Sequence, residues 1–245
     1  MSAAATQPPS LFGRPVRRVH AVGVGGMGLG PLAIYAAGLG FAVSGGDDAM
    51  TEAMAAQLGR AGVALTPADT LPADAELVVI SSAIAPTHPA LVAARGRGLP
   101  VVRRGELLAA LAATRRLIAV CGSHGKTTTA AMLAGAMRGA GLAPGYVGGG
   151  LFADEAQPPA AAGSDAWLVA EIDESDGTIG GFSPALTVLV NLDWDHPDHY
   201  RTQADLEAAF AALLDRTDGP VLINASCPLS ARVAGARPGV ARFGR

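Results

Sequence analysis

The chain has 245 residues, 50% hydrophobic and only 16% charged, which is long enough for two α/β domains and rich enough to bury a sizeable core. A net charge of −3 without any basic block, and 4% aromatic residues, argue against a general nucleic-acid binder and against stacking platforms for single strands. No apolar run is long and unbroken enough to span a bilayer, and the first fifteen residues hold no signal-peptide core, so no membrane partner is expected. Cys121 and Cys227 stand far apart with no metal spacing, which suits a reduced, cytoplasmic protein.

Residues 1–15 read as a disordered tail of Ala, Gln and Pro without periodicity. Residues 16–24 read as the first strand, running into Gly23-Val24-Gly25-Gly26-Met27-Gly28, a G-x-G-x-x-G turn. A helix is expected over 29–38, with Pro31 tolerated in its first turn. The strand at 41–44 ends at Gly45-Gly46-Asp47-Asp48. Asp47 stands some twenty residues past the glycines, where a dinucleotide-binding unit places the acidic residue for a ribose hydroxyl. A tight turn without ligand is the plainer alternative for the glycines.

Residues 51–61 form a helical pattern with Thr51 as N-cap. Residues 77–80 form a buried strand leading into Ser81-Ser82-Ala83-Ile84, a polar turn on the ligand-facing end of the sheet or else an ordinary loop. Helices at 89–97 and 106–113 follow. Short strands alternate with helices, which predicts a parallel sheet covered on both faces. One unit ends near residues 113–116.

The next strand, at 117–120, turns through Gly122-Ser123-His124-Gly125 and delivers Lys126, Thr127, Thr128 and Thr129 into an Ala-rich helix to 139. Such a turn aims backbone N–H groups and the positive end of a helix dipole at phosphate. Lys126 would reach the β- and γ-phosphates of a nucleotide and Thr127 a Mg²⁺ ion. The longer G-x-x-x-x-G-K-[ST] pattern has glycine where this chain has Val120.

Gly148-Gly149-Gly150 reads as a flexible turn and residues 154–163 as a Pro/Ala loop. A strand at 167–170 ends in Glu171-Ile172-Asp173-Glu174-Ser175-Asp176. Another at 186–190 ends in Asn191-Leu192-Asp193-Trp194-Asp195-His196-Pro197-Asp198-His199-Tyr200. Two acidic clusters at strand ends, on the rim of a phosphate loop, supply the few hard oxygen ligands that Mg²⁺ beside ATP takes, though each alone is equally a solvated turn. Asp173, Asp176 and Asp195 are weaker candidates, because alternate residues point to opposite faces. An amphipathic helix at 205–215 and a last strand at 221–224 complete the pattern.

Four stretches make the chain resemble the Mur ligases of peptidoglycan synthesis: His20 to Gly26, Gly122 to Thr129, Glu171 to Gly177, and Asn191 to Tyr200. Gly46-Asp47, Ser81 to Ile84 and Arg104-Gly105-Glu106-Leu107 are weaker matches. The resemblance implies an α/β chain: a Rossmann-like domain for the UDP substrate over 16–114, then a P-loop central ATP-binding domain over 115–245. It implies ATP-dependent amide ligation. ATP would phosphorylate the lactyl carboxylate of UDP-N-acetylmuramate, and the amine of L-alanine would attack the acyl phosphate.

By the same resemblance Lys126 and His196 would be catalytic. Gly122, Ser123, His124, Gly125, Lys126, Thr127 and Thr128 would bind ATP. Thr127 and Glu171 would hold one Mg²⁺, and His196 would serve a second. Gly23, Gly25, Gly26, Gly28, Asp47, Ser81 and Ser82 would hold the uridine nucleotide. The departures are Pro31, where the family usually has glycine, and Pro/Ala sequence near Pro159 in place of a usual Asn-Ala. The family's central domain is expected to continue past Arg245 and a third domain to follow, so residues 1–245 are expected to bind nucleotides without completing ligation. A non-catalytic nucleotide-binding remnant, and an NAD-dependent oxidoreductase resting on the first glycine turn, are the competing classes. Oligomeric state is not legible in the sequence.

Overall fold

A computed structural model describes residues 10–194 and 200–244. The chain forms two compact units, one of Met1–Leu111 with Ala153–Pro158, the other of Ala112–Phe152 with Pro159–Arg245.

The first unit opens with a small antiparallel hairpin, β1 (Ser10–Leu11) against β2 (Arg14–Pro15). Its two-residue turn puts Phe12 at φ 53° and Gly13 at φ 75°, the left-handed pair that matches strand twist. Residues 10–15 therefore depart from the expected disordered tail. Leu11, only 4% exposed, gives them an apolar anchor that Ala and Gln upstream could not supply.

Next come β3 (Arg18–Val22), α1 (Leu29–Gly38), β4 (Ala42–Gly46), α2 (Glu52–Arg60), β5 (Ala64–Leu65), β6 (Leu77–Ile80), α3 (Pro89–Gly96), β7 (Val101–Arg103) and α4 (Arg104–Ala112). The strands pair in parallel in the order β5-β4-β3-β6-β7. The chain order thus reverses between β3 and β6, the switch point where the loops after neighbouring strands diverge and leave a crevice. Helix α2 starts as its sequence dictates: Thr51 is extended and its hydroxyl accepts from Met54 N. Val22, Val78, Ala90 and Ala94 form a core cluster between sheet and α3.

The second unit comprises β8 (Arg116–Cys121), α5 (Lys126–Gly139), β9 (Gly145–Val147), β10 (Ala160–Ala161), β11 (Trp167–Glu171), β12 (Leu186–Leu189), α6 (Gln203–Asp215), β13 (Val221–Asn224), α7 (Pro228–Ala234) and β14 (Val240–Phe243). Its sheet runs β10-β9-β11-β8-β12-β13-β14. All described pairs are parallel except β10 against β9. β10 alone departs from the parallel pattern: residues 148–159 bring the chain back to the margin beside β9, where it pairs antiparallel. β13 is not the last strand either. Pro228 at the first turn starts α7, Gly235 ends it, and β14 then pairs with β13.

Helix α5 buries Ala130 and Ala134 on one side of β8, in a cluster with Ile118, Val120, Tyr146, Val169 and Val188. The small alanines let helix and sheet approach closely. Helix α6 buries Leu206, Phe210, Leu213 and Leu214, and its start is fixed by a reciprocal capping box between Thr202 and Asp205, worth about 1 kcal/mol. No helix among the described residues is long and apolar enough to cross a membrane.

Candidate active site

β8 is flanked by β11 and β12, and their last residues finish level: Glu171 pairs with Val120, and Leu189 with Cys121. The loops after these three strands consequently share one rim. The turn out of β8 needs two left-handed residues, Gly122 (φ 125°) and Gly125 (φ 77°), and Gly125 is the N-cap of α5. A side chain at Gly122 would also collide with the backbone, since its Cβ would fall 2.3 Å from the Asn191 carbonyl oxygen.

The first intrahelical acceptor of α5 is the Gly125 carbonyl, bonded by Thr129 N at 3.0 Å. No side chain caps this helix start, and among the described residues the N–H groups of Gly125, Lys126, Thr127 and Thr128 have no acceptor. Four converging donors at the positive end of a fourteen-residue helix fit a phosphate group.

Lys126 Nζ donates to the Gly122 carbonyl at 2.6 Å and lies 3.3 Å from Glu174 Oε2. The lysine side chain is 15% exposed and that of Glu174 only 1%. Burial pushes the Glu174 carboxyl above the usual carboxylate range, and the attraction of Lys126 offsets only part of it. The Glu174 carbonyl accepts from the Tyr200 hydroxyl at 3.0 Å, which fixes the turn from behind.

Thr127 Oγ1 donates to Glu171 Oε2 at 2.7 Å. A Cβ on Gly149 would lie 2.0 Å from Glu171 Oε1, so Gly149 is a close-approach position rather than a flexible turn. Asp173 and Asp176 are used locally, accepting from Ser175 N (2.9 Å) and Thr178 N (3.0 Å). Sequence reasoning named Glu174 and Asn191 only within their motifs, without a role for either, and read Gly149 as part of a flexible turn. The clue available for Gly149 is the triple glycine itself, which permits a carboxylate against bare backbone.

The phosphate loop is held on its other side by the segment after β12. Asn191 Oδ1 accepts from His124 N at 2.8 Å and its Nδ2 donates to the His124 carbonyl at 3.0 Å. Ser123 N donates to the Asn191 carbonyl at 3.2 Å. Ser123 Oγ accepts from Asp193 N at 2.9 Å and donates to the Asp193 carbonyl at 3.0 Å. His196 and Asp195 lie outside the described residues. Among the described residues no group of three His, Cys, Asp or Glu side chains forms a ready-made metal cage. A Mg²⁺ ion held there by Thr127 and Glu171 would take its remaining ligands from phosphate and water.

In the first unit, Gly23 takes φ 86° and its N–H reaches the Gly46 carbonyl at 2.9 Å. Asp47 accepts from Gly25 N (2.8 Å) and from Ala49 N (2.7 Å), so its carboxylate ties the glycine loop to the end of β4. Gly25 has no room for a side chain, as a Cβ would sit 2.9 Å from Asp47 Cγ. The Arg104 side chain passes across Gly28, and Gly26 is exposed. Ser81 N donates to the Val22 carbonyl at 3.3 Å, Ile84 packs over Gly23, and Ser82 is exposed. The glycine loop and the Ser81–Ile84 turn thus face each other across the β3/β6 switch point.

Comparison with known proteins matches residues 18–116 to "Mur ligase family, catalytic domain" and residues 120–245 to "Mur ligase middle domain". A UDP-N-acetylmuramate–L-alanine ligase of Kineococcus radiotolerans is 42% identical over 224 residues, covering 89% of this chain and 47% of the relative. One of a Synechococcus species is 41% identical, covering 91% and 48%. The chain spans about half the length of the curated relatives it matches. Among solved structures, UDP-N-acetylmuramate–alanine ligase from Thermotoga maritima superposes with a TM-score of 0.82 at 27% identity, covering 93% of this chain and 53% of that one. UDP-N-acetylmuramate:L-alanyl-gamma-D-glutamyl-meso-diaminopimelate ligase from Neisseria meningitides gives 0.82 at 28%, covering 94% and 78%.

Proposed function

This chain belongs to the Mur ligase family, and on that premise we propose that it serves ATP-dependent addition of L-alanine to UDP-N-acetylmuramate. The observation that carries the reading is the convergence of Lys126, Thr127 and Glu171 at the open helix start of α5. The four free N–H groups would cradle the β- and γ-phosphates of ATP, and Lys126 would follow the charge of the phosphoryl group as it leaves for the lactyl carboxylate. Thr127 and Glu171 would hold Mg²⁺, which when bound neutralises phosphate charge. The amine of L-alanine would then displace phosphate from the acyl group. His196 is proposed for a second metal on its sequence position alone.

In the first unit the glycine loop Gly23 to Gly28, Ser81 and Ser82 would contact the uridine nucleotide. Asp47 would act chiefly by holding Gly25 in place, since both its oxygens already accept backbone N–H groups. A protein of this family working on nucleotide-linked sugars would be cytoplasmic, where ATP is available.

The Neisseria structure supports a second reading, in which the incoming amine belongs to a tripeptide rather than to L-alanine. Calorimetry with Mg-ATP, UDP-N-acetylmuramate and NAD tests the common part. Binding of the first two, with ATP affinity lost in Lys126→Ala, is the expected result. Binding of NAD without ATP would overturn the ATP-ligase reading. In a full-length version, a product assay offering L-alanine and the tripeptide in competition separates the two ligase readings.

A further inference from the structure

The hydrogen bonds between the phosphate loop and the segment after β12 are more numerous than a simple turn requires, and they are of a particular kind. Asn191 reads both main-chain atoms of His124, one with each end of its amide, so only one orientation of that amide satisfies both. Ser123 Oγ stands between the N–H and the carbonyl of Asp193, accepting from one and donating to the other. Ser123 N is bonded to the Asn191 carbonyl, and Gly122 lies flush against that same peptide. The hydrogen bonds are backbone to backbone or side chain to backbone, and the side-chain pair beside them, His124 Nε2 with Asp193 Oδ2 at 3.7 Å, is exposed, so the register rests on the main chain.

We propose that Asn191 and Ser123 form a clasp that makes residues 191–194 follow the phosphate loop, so that a nucleoside di- or triphosphate bound at α5 sets the position of residues 191–194. Asn191 is thus a positioning residue for the nucleotide reaction, and the inference rests on the nucleotide reading above. The same clasp works in reverse: ordering of the 191–194 segment pre-forms the phosphate loop, and by linkage the two effects are equal.

Trp194 supplies the readout. It is 52% exposed, adjoins the clasped Asp193, and has one companion tryptophan, Trp167, stacked under the Arg116 guanidinium at 4.0 Å. In a Trp167→Phe background, Mg-ADP is expected to shift the Trp194 emission. Asn191→Leu removes two hydrogen bonds and is expected to weaken Mg-ADP about tenfold by calorimetry. At concentrations that saturate it, the emission shift should be gone. Ser123→Ala should also abolish the shift and should speed amide exchange at Asp193, whereas Ser123→Thr, which keeps the hydroxyl, should restore both. That exchange measurement needs no nucleotide and also reveals any variant that has failed to fold. Persistence of the shift in saturated Asn191→Leu, or calorimetric binding to the parent without any shift, would overturn the clasp while leaving the nucleotide site intact. Absence of calorimetric binding to the parent would overturn the nucleotide reading and the clasp with it.

Discussion

Thr127 Oγ1 and Glu171 Oε2 are 2.7 Å apart although 44 residues separate them in the chain. They are a hydroxyl and a carboxylate at the open start of α5, two hard oxygens already brought together, and on the proposed reading both would ligate Mg²⁺. Thr127→Ala and Glu171→Gln are each expected to raise the Mg²⁺ concentration needed for ADP binding by at least about tenfold. Calorimetric titration of ADP at stepped Mg²⁺ concentrations measures this. Unchanged Mg²⁺ dependence in both variants would remove the metal role.

Gly149 should matter without being a ligand. An alanine there would place its Cβ 2.0 Å from Glu171 Oε1, and the flexible end of the carboxylate can move aside where backbone could not. Gly149→Ala is therefore expected to cost the fold little, less than about 1 kcal/mol, and to weaken Mg²⁺ binding nearly as far as Glu171→Gln. A melting temperature near wild type with reduced Mg²⁺ affinity is the expected pair of results. Full retention of both would show that Glu171 has another productive rotamer.

Lys126→Ala removes the charge that offsets the buried Glu174 carboxylate, so two losses are expected. Nucleotide affinity should fall about a hundredfold. Stability at neutral pH should fall by about 2 kcal/mol, because a carboxylate is left buried and unpaired. The two separate in Lys126→Ala/Glu174→Gln, where stability should return and affinity should not.

Glu174→Gln alone carries a pH signature. The folded carboxyl titrates above its unfolded value, so the fold binds the proton more tightly than the unfolded chain. The Glu174 contribution to stability should decline as pH rises through that interval, and the glutamine variant should lack that decline. Melting curves of both from pH 4 to 8 test the sign.

His20 acts at the acid end of the range. It is fully buried on β3, with Nδ1 2.9 Å from Ser44 Oγ, and burial lowers its pKa from 6.5 to about 4. Between those values the unfolded chain takes up a proton that the folded chain refuses. Stability should therefore be complete above about pH 6.5 and fall by about 3 kcal/mol as pH drops to 4. His20→Gln should flatten this part of the profile for the first unit, and chemical denaturation at several pH values would show whether it does.

Much of the fold is legible along the chain because its signals are local. Helix α1 spans the expected residues, β6 coincides with Leu77–Ile80, and Thr51 caps α2 as its hydroxyl predicts. What escapes is what has no local signal. Two-residue strands such as β10 are too short to show alternation, and β14 alternates only weakly, with Arg242 between Ala241 and Phe243. The acidic motif announces carboxylates but not their directions. That Glu174 turns inward to Lys126 while Asp173 and Asp176 fold back on their own turn depends on tertiary contacts, including the Tyr200 hydroxyl 26 residues away. Asn191 stands in a recognised stretch, yet its two hydrogen bonds to the His124 backbone exist only because β12 lies beside β8.

The placement of β8 between β11 and β12 governs how the second unit comes apart. Sheets peel from their margins, and here the margins are the two-residue β10 and the largely exposed β14. Both lie at least one strand removed from the three that carry the phosphate loop, Glu171 and Asn191. Fraying at either margin thus leaves the proposed nucleotide cradle standing until the cooperative core itself is lost. A tight nucleotide should accordingly hold the central strands together far more than the margins, raising the last step of unfolding and leaving the first one where it was.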